Sequence, residues 1–346
     1  MRCTIVPPHV LQHVVDRHGD EQVREMVQRT LTLDHTQRST RNATQLISQP
    51  PPATTPAAAA NRTLHDAAHA ENLPGKTIRS EGGAATGDQQ ADEIYEWLGV
   101  TFDFYNKAYG RNSIDGGGLP LVATVHYSVN YDNAFWEGSQ MVYGDGDQQI
   151  FKTFTGPLDV TGHELTHGVT QYSGGLDYRG QSGALNESIS DVFGSLVKQY
   201  HLGQTADQAD WLIGQGMFTD TVRGVALRSM KAPGTAYDDP NLGKDPQPGE
   251  MANYVETDSD NGGVHVNSGI PNHAFYLAAT AIGGHAWEKA GRVWYDTLTS
   301  KNVPKSADFA TFANMTYATA GKLFGVNATE SNAVRDAWAA VGVKIT

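Results

Sequence analysis

The sequence predicts an α+β protein of two lobes, an N-terminal β-rich lobe and a mainly α-helical C-terminal lobe, preceded by a short segment of its own. Three observations carry this. At 346 residues the chain exceeds one compact core of common size. In the first half, short β-rich runs at 121–127 and 139–143 follow a single helical pattern at 92–108. From Leu158 onward helical periodicity dominates, over 160–172, 184–202, 268–282, 287–299, 308–324 and 329–341. Two lobes invite a cleft, and no internal repeat is visible.

Ahead of the lobes, Val23, Met26, Val27 and Leu31 recur at helical spacing and read as one amphipathic helix in a separately organised segment of about 47 residues. Pro50, Pro51, Pro52 and Pro56 with Ala57–Ala60 then form a linker, stiffened by proline and with nothing to bury in a core. Such a stretch is a good place for a protease to cut. The expected division is 1–60, 61–172 and 173–346.

Composition removes several functions. With 25 basic against 38 acidic residues the net charge is −13, a field that repels nucleic acid and anionic membranes and leaves protein, peptide or small substrates. A single cysteine, Cys3, can form neither an internal disulfide nor a multi-cysteine zinc module, so any metal must use histidine and carboxylates. Residues 1–8 lack the apolar stretch of a signal peptide, and no apolar run is long enough to span a bilayer.

The chemistry concentrates in three clusters. His163-Glu164-Leu165-Thr166-His167 is H-E-x-x-H, and on a helix the i, i+4 spacing puts both imidazoles on one face within reach of one ion, with Glu164 beside it. Catalytic zinc takes three protein ligands and keeps one position open, and Glu187 supplies the third. Asp191, one helical turn later, can orient an imidazole. The apolar neighbours Leu185, Ile189, Val192 and Phe193 argue that this acidic pair is partly buried rather than an exposed face. In the third cluster Asp260 precedes His265 by five residues, with Gly262 and Gly263 allowing a tight turn that lets the acid orient the ring.

Together these blocks resemble the thermolysin-like zinc metallopeptidases, from about Arg62 to the C-terminus. Nineteen residues separate His167 from Glu187, the family spacing, whereas related zinc aminopeptidases use one fewer. The resemblance implies the two-lobed thermolysin-like fold, its lobes joined by the zinc-binding helix, one Zn(2+) on His163, His167 and Glu187, and endopeptidase activity. It implies Glu164 as the general base and Tyr178 and His265 as oxyanion donors, with Asp260 orienting His265. Asp191 would hold His163, and the Asn186 main chain would hold His167. Asn133 and Ala134 fall in the family's edge strand, which binds substrate backbone, and Arg228 matches the arginine that grips a substrate carbonyl. Phe151, Phe154, Val160, Ile213 and Leu227 match the wall of a pocket for a bulky hydrophobic residue just after the cut bond, with ordinary core as the alternative for each.

The first segment resembles the short propeptide of the protealysin branch, through Pro7-Pro8 and through residues 61–67. That implies a monomeric zymogen with its own propeptide as intramolecular inhibitor, and a secreted protein despite the missing signal peptide, with cytoplasmic accumulation as the alternative. Two rival readings are a zinc or peptide-binding module without turnover and a zinc aminopeptidase. Intact Glu164, Tyr178 and His265 oppose the first, and no acidic anchor for a free amine near Asn133 opposes the second.

The chain departs from the family at its calcium sites. Asp159 and Asp210 match two ligand positions, but Lys198, Leu212 and Gln215 stand where acids are needed and Val225 replaces another, so calcium is expected to be absent. Cys3 adds one further expectation, a thiolate on zinc in the zymogen, beside the alternative of a free packed thiol.

Overall fold

The structure, a computed structural model, describes residues 4–44 and 59–346 and divides into two compact units. Cys3 and most of the linker lie outside the described residues. The first unit runs to Val169 and takes in Gly214–Leu227 and Tyr237–Gly243; the second holds Thr170–Ile213, Arg228–Ala236 and Lys244–Thr346. This partition differs from boundaries at 60 and 172. The N-terminal segment belongs to the first unit instead of standing apart. Residues 214–227 return to that unit because Phe151 bridges Phe218 and the Lys152 N–H donates to Met217 O at 2.7 Å.

The N-terminal segment holds two helices where one was expected, α1 (Pro8–Arg17) and α2 (Glu21–Thr44). Pro8 starts α1, where its missing N–H costs nothing, and Val10, Leu11 and Val14 are buried. The inward stripe of α2 is Val23, Val27, Thr30 and Asp34, while Met26 and Leu31 flank it half-buried. A polar pair thus continues an apolar stripe.

The first unit's sheet contains β1 (Arg62–Asp66), β2 (Lys76–Ser80), β3 (Leu121–Val125), β4 (Ala134–Trp136) and β5 (Met141–Tyr143), in the order β2-β1-β3-β5-β4. β1, β3 and β5 run parallel, and β2 and β4 close the edges antiparallel. The helix α3 (Gln89–Tyr109) starts on Asp88, whose side chain accepts the Ala91 N–H, and ends at Gly110 in the left-handed region. The last helix of the unit, α4 (Leu158–Tyr172), carries His163.

In the second unit α5 (Gly180–Leu202) is buried almost continuously from Ser182 to Val197. Around it come α6 (Asp260–Asn267), α7 (Gly269–Ile282), α8 (Ala290–Thr299), α9 (Phe309–Phe324) and α10 (Thr329–Ala340). Gly183 lets α5 approach α6, since a β-carbon there would fall 2.4 Å from Val264 Cγ1. Trp294 stacks on Trp338 at 6.1 Å between ring centroids, and Phe275 and Phe312 meet these rings edge-on.

One polar junction ties α3 to the sheet. His126, just beyond β3, donates from Nδ1 to Asp145 at 2.9 Å and from Nε2 to Asp88 at 3.0 Å. The bond to Asp145 outweighs the cost of burial, and the charges of Asp145 and Asp88 add to it, pushing the imidazole up to about 9. A folded value above the unfolded one stabilises fully below about 6.5, and that contribution is lost as pH rises through about 9. The midpoint of thermal unfolding should therefore fall between pH 7 and about 9.5, and His126→Gln should flatten that part of the profile.

Candidate active site

The packing of α4 fixes its rotation. Tyr143 Oη meets Thr161 Oγ1 at 2.9 Å and Tyr105 Oη meets Thr166 Oγ1 at 2.6 Å, so the sheet and α3 each hold one hydroxyl of the helix. At Gly168 a β-carbon would lie 3.3 Å from the Trp136 ring, which lets the helix sit close to β4. His163, Glu164 and His167 are all buried, and the two imidazole Nε2 atoms face each other at 3.1 Å. Glu164 Oε2 accepts the backbone N–H of Trp136 at 2.9 Å, a contact the sequence did not announce. The Glu164 carboxylate is thus clamped to the end of the edge strand.

On α5, Glu187 and Asp191 are buried completely, more so than a partly buried stripe would be. Asp191 accepts Arg228 Nε and Nη2, each at 2.8 Å, and Asn272 Nδ2 at 2.8 Å. Arg228 lies on a two-residue strand, Arg228–Ser229, paired with Leu212–Ile213. Asn272, on α7, had no local signal in the sequence. Asn186 Nδ2 reaches Leu176 O at 3.4 Å.

The glycine-bearing turn behaves as its residues suggest. Asp260, Asn261, Gly262 and Gly263 all take positive φ, so the chain doubles back and Asp260 receives both the His265 N–H at 2.9 Å and His265 Nδ1 at 2.8 Å. Nδ1 carries the proton there, which turns Nε2 toward Tyr178 Oη at 3.3 Å and Glu187 Oε2 at 3.5 Å. Burial opposes the charged ring, but Asp260 and Glu187 outweigh it and hold the imidazolium above the usual histidine range. Tyr178 Oη also donates to Glu187 Oε1. These residues therefore form one connected group in the second unit.

His163 and His167 in the first unit and Glu187 in the second are three buried residues that each offer one ligand atom to a metal ion. Two imidazole nitrogens facing each other at hydrogen-bond distance, together with a buried carboxylate, fit a tetrahedral zinc ion of the His-His-Glu type.

The edge strand carries a further finding. Residues 4–6 extend the sheet: Thr4 bridges Phe135 antiparallel, and the Ile5 N–H donates to Ala134 O at 3.1 Å. Asn133 reads both main-chain groups of Val6, accepting its N–H at 2.9 Å and donating to its carbonyl at 3.2 Å. Asn133 Nδ2 also donates to Asp34 Oδ2 at 2.9 Å, and Tyr131 Oη to Asp34 Oδ1 at 2.5 Å. Asp34 was missed, although its place seven residues beyond Val27 on the buried stripe was a usable signal. Of the pocket-wall set, Phe151, Phe154, Val160 and Leu227 are buried in the first unit, the two phenyl centroids 5.6 Å apart, and Ile213 is buried in the second.

Comparison with known proteins agrees with this geometry. Residues 22–171 match the family model described as thermolysin metallopeptidase, catalytic domain, and residues 174–343 match the thermolysin metallopeptidase α-helical domain. The chain belongs to the thermolysin family of zinc-dependent metallopeptidases, and within it to the protealysin-like branch. An extracellular metalloprotease of Pectobacterium carotovorum subsp. carotovorum is 54% identical over 99% of this chain and 97% of that protein. Protease PrtS of a Photorhabdus species is 44% identical over 99% of this chain and 92% of its own length. The solved precursor of protealysin, a metalloproteinase from Serratia proteamaculans, superposes with a TM-score of 0.90 at 52% identity, covering 99% of both chains. The likeness thus includes the N-terminal segment and is wider than the stretch from Arg62.

Arg228 and Asp191 form a pair with side-chain exposures of 3% and 0%. Removing one partner strands the other charge, so Asp191→Ala should cost about 3–5 kcal/mol of stability in urea unfolding. The double change Asp191→Leu, Arg228→Met should recover part of that loss.

Proposed function

We propose that this protein is an endopeptidase made as a latent zymogen, secreted, and selective for peptide bonds on the N-terminal side of bulky hydrophobic residues. The observation that carries the reading lies on one strand. Glu164 is held by Trp136 at the end of β4, and residues 4–6 already pair with the rest of that strand. An extended substrate bound to the same backbone would run its scissile bond toward Glu164. While residues 4–6 lie there, it cannot bind.

His163, His167 and Glu187 would hold the zinc, whose Lewis acidity makes water a nucleophile near pH 7 and polarises a carbonyl. Glu164 takes the proton of the attacking water and passes it to the leaving amine, with the Trp136 N–H fixing the direction of its carboxylate. Tyr178 Oη and His265 Nε2 donate to the oxyanion from fixed positions, and Asp260, accepting the Nδ1 proton, favours the doubly protonated ring that leaves Nε2 a donor. Arg228, anchored on Asp191, keeps its guanidinium aligned for a substrate carbonyl, and the family resemblance assigns Asp191 the further role of orienting His163. Asn186 supports His167 from its main chain. Asn133 and Ala134 bind the substrate main chain, and Phe151, Phe154, Val160, Ile213 and Leu227 form the apolar wall that selects the residue after the cut. Secretion is supported by relatives named as extracellular metalloproteases.

Zinc is the metal we assign, without calcium. Lys198 Nζ lies 3.0 Å from Asp210 Oδ1 and 3.2 Å from Leu212 O, so an ammonium already neutralises the acid that would ligate calcium. Calorimetry of the mature enzyme should detect no calcium binding at micromolar concentrations, and such binding would refute the assignment.

Two substitutions separate metal from chemistry. Glu164→Ala should retain zinc by atomic absorption yet cleave no blocked peptide, whereas His167→Ala should lose both. Proteolysis surviving in the first variant would sink the mechanism. Purified full-length protein incubated with casein should show a lag that ends as a new N-terminus appears in the linker, and a chelator should abolish the activity.

A further inference from the structure

Beside the edge strand lie three buried carboxyl groups, of which only Asp34, the partner of Asn133, has entered the site described above. Asp34 comes from α2, Asp132 immediately precedes Asn133, and Asp147 lies in the loop after β5. Their exposures are 2%, 0% and 5%. Asp132 Oδ1 accepts the Asp147 N–H at 2.7 Å, and Asp147 Oδ1 accepts the N–H groups of Gln149, Ile150 and Phe151. The second oxygen of each, Asp132 Oδ2 and Asp147 Oδ2, is buried without a hydrogen-bond donor. No cation faces either residue among the described residues.

A buried carboxylate oxygen with no donor is costly, and two adjacent ones that also repel each other are more so. A proton on Asp132 removes one buried charge and lifts the repulsion. We propose that Asp132 is held in its neutral, protonated form beside Asp147, and that this proton couples docking of the N-terminal segment to pH, the docked form being favoured in acid.

The coupling runs through Asp34, whose carboxylate joins the pair only when α2 is seated. Tyr131 and Asn133, on either side of Asp132, both donate to Asp34, and the Asp132 N–H itself donates to Thr30 Oγ1 at 3.1 Å. Burial first, then Asp147 and Asp34, push the Asp132 carboxyl well above the usual carboxylate range. Because docking brings up the charge of Asp34, docking raises proton affinity at Asp132, and by linkage a bound proton tightens docking. As pH rises Asp132 ionises, repels Asp34 and loosens α2. One proton sets the limit at about tenfold in the docking equilibrium per pH unit. Other ionisable side chains of the segment include His9 with Tyr237 Oη and His13 with Asn241 O on α1, and His35, next to Asp34 on α2, so all three histidines are changed to glutamine in the test background.

This inference rests on residues 1–60 acting as a propeptide, and the test keeps the two apart. Full-length protein carrying Glu164→Ala to block self-cleavage is titrated while infrared difference spectra follow protonated carboxyl groups. Hydrogen-exchange protection factors of α2 amides are measured in parallel. One buried carboxylic acid should persist at neutral pH, vanish in Asp132→Asn, and titrate at lower pH in Asp34→Asn. Protection of α2 should fall by up to about tenfold per pH unit across that midpoint and become flat in Asp132→Asn. If Asp132→Asn does not fold, Asp147→Asn must shift the same midpoint downward. Absence of a neutral carboxyl, or an unmoved midpoint in Asp34→Asn, overturns the proposal. Full-length wild-type protein that cleaves casein without processing would overturn the latency reading alone, because the carboxyl midpoint is measured independently of activity.

Discussion

Burial of ionisable side chains on α4 and α5 is the constraint from which the rest follows. His163, Glu164 and His167 on one helix and Glu187 and Asp191 on the other are exposed by 2% or less. Charged and polar groups in that state destabilise a fold unless each meets a partner of suitable geometry. The partners found here lie from nine to 81 residues away: Tyr178 for Glu187, a backbone N–H of β4 for Glu164, and Arg228 with Asn272 for Asp191. Each such contact also fixes a rotamer. The offset to desolvation and the orientation of the reactive groups are therefore the same set of bonds.

The backbone had to make room for this arrangement. Gly168 brings α4 against Trp136, Gly183 brings α5 against Val264, and Gly262 and Gly263 turn the chain so that Asp260 reaches His265. The hydroxyls of Thr161 and Thr166 meet tyrosines from the sheet and from α3, which prevents α4 from rotating and carrying its histidines out of register. A helix held on two faces presents i and i+4 side chains in a constant direction.

Much of this was legible in the sequence, for local reasons. H-E-x-x-H can be read because helical pitch alone places its histidines together, and the Asp260 to His265 turn can be read because glycine marks positive φ. The helices of the second unit other than α6 followed from periodicity, within a few residues at their ends. What escaped notice depends on distance along the chain. Asp34 finds Asn133 across 99 residues and Asn272 finds Asp191 across 81, and no pattern within either segment encodes those meetings. The short helix α1 hid behind its prolines, and the return of residues 214–227 to the first unit rests on backbone pairing of Ile150, Phe151 and Lys152 with residues 217–219. The same applies to Asp132 and Asp147, which look like ordinary loop acids until both are seen to be sealed from water.

The three-residue strand β4 has a consequence for solution behaviour. An exposed sheet edge is a template on which other chains can add, and proteins usually guard such edges with charge, proline or brevity. Here residues 4–6 cover the edge from within the same chain, and Pro7 and Pro8 follow directly, so the added strand cannot lengthen into a ladder. Once that cover is gone, the bare edge offers too few backbone groups to nucleate a growing sheet yet enough to grip one extended peptide. The same segment that fills the strand thus protects a newly made chain from sticking to its neighbours.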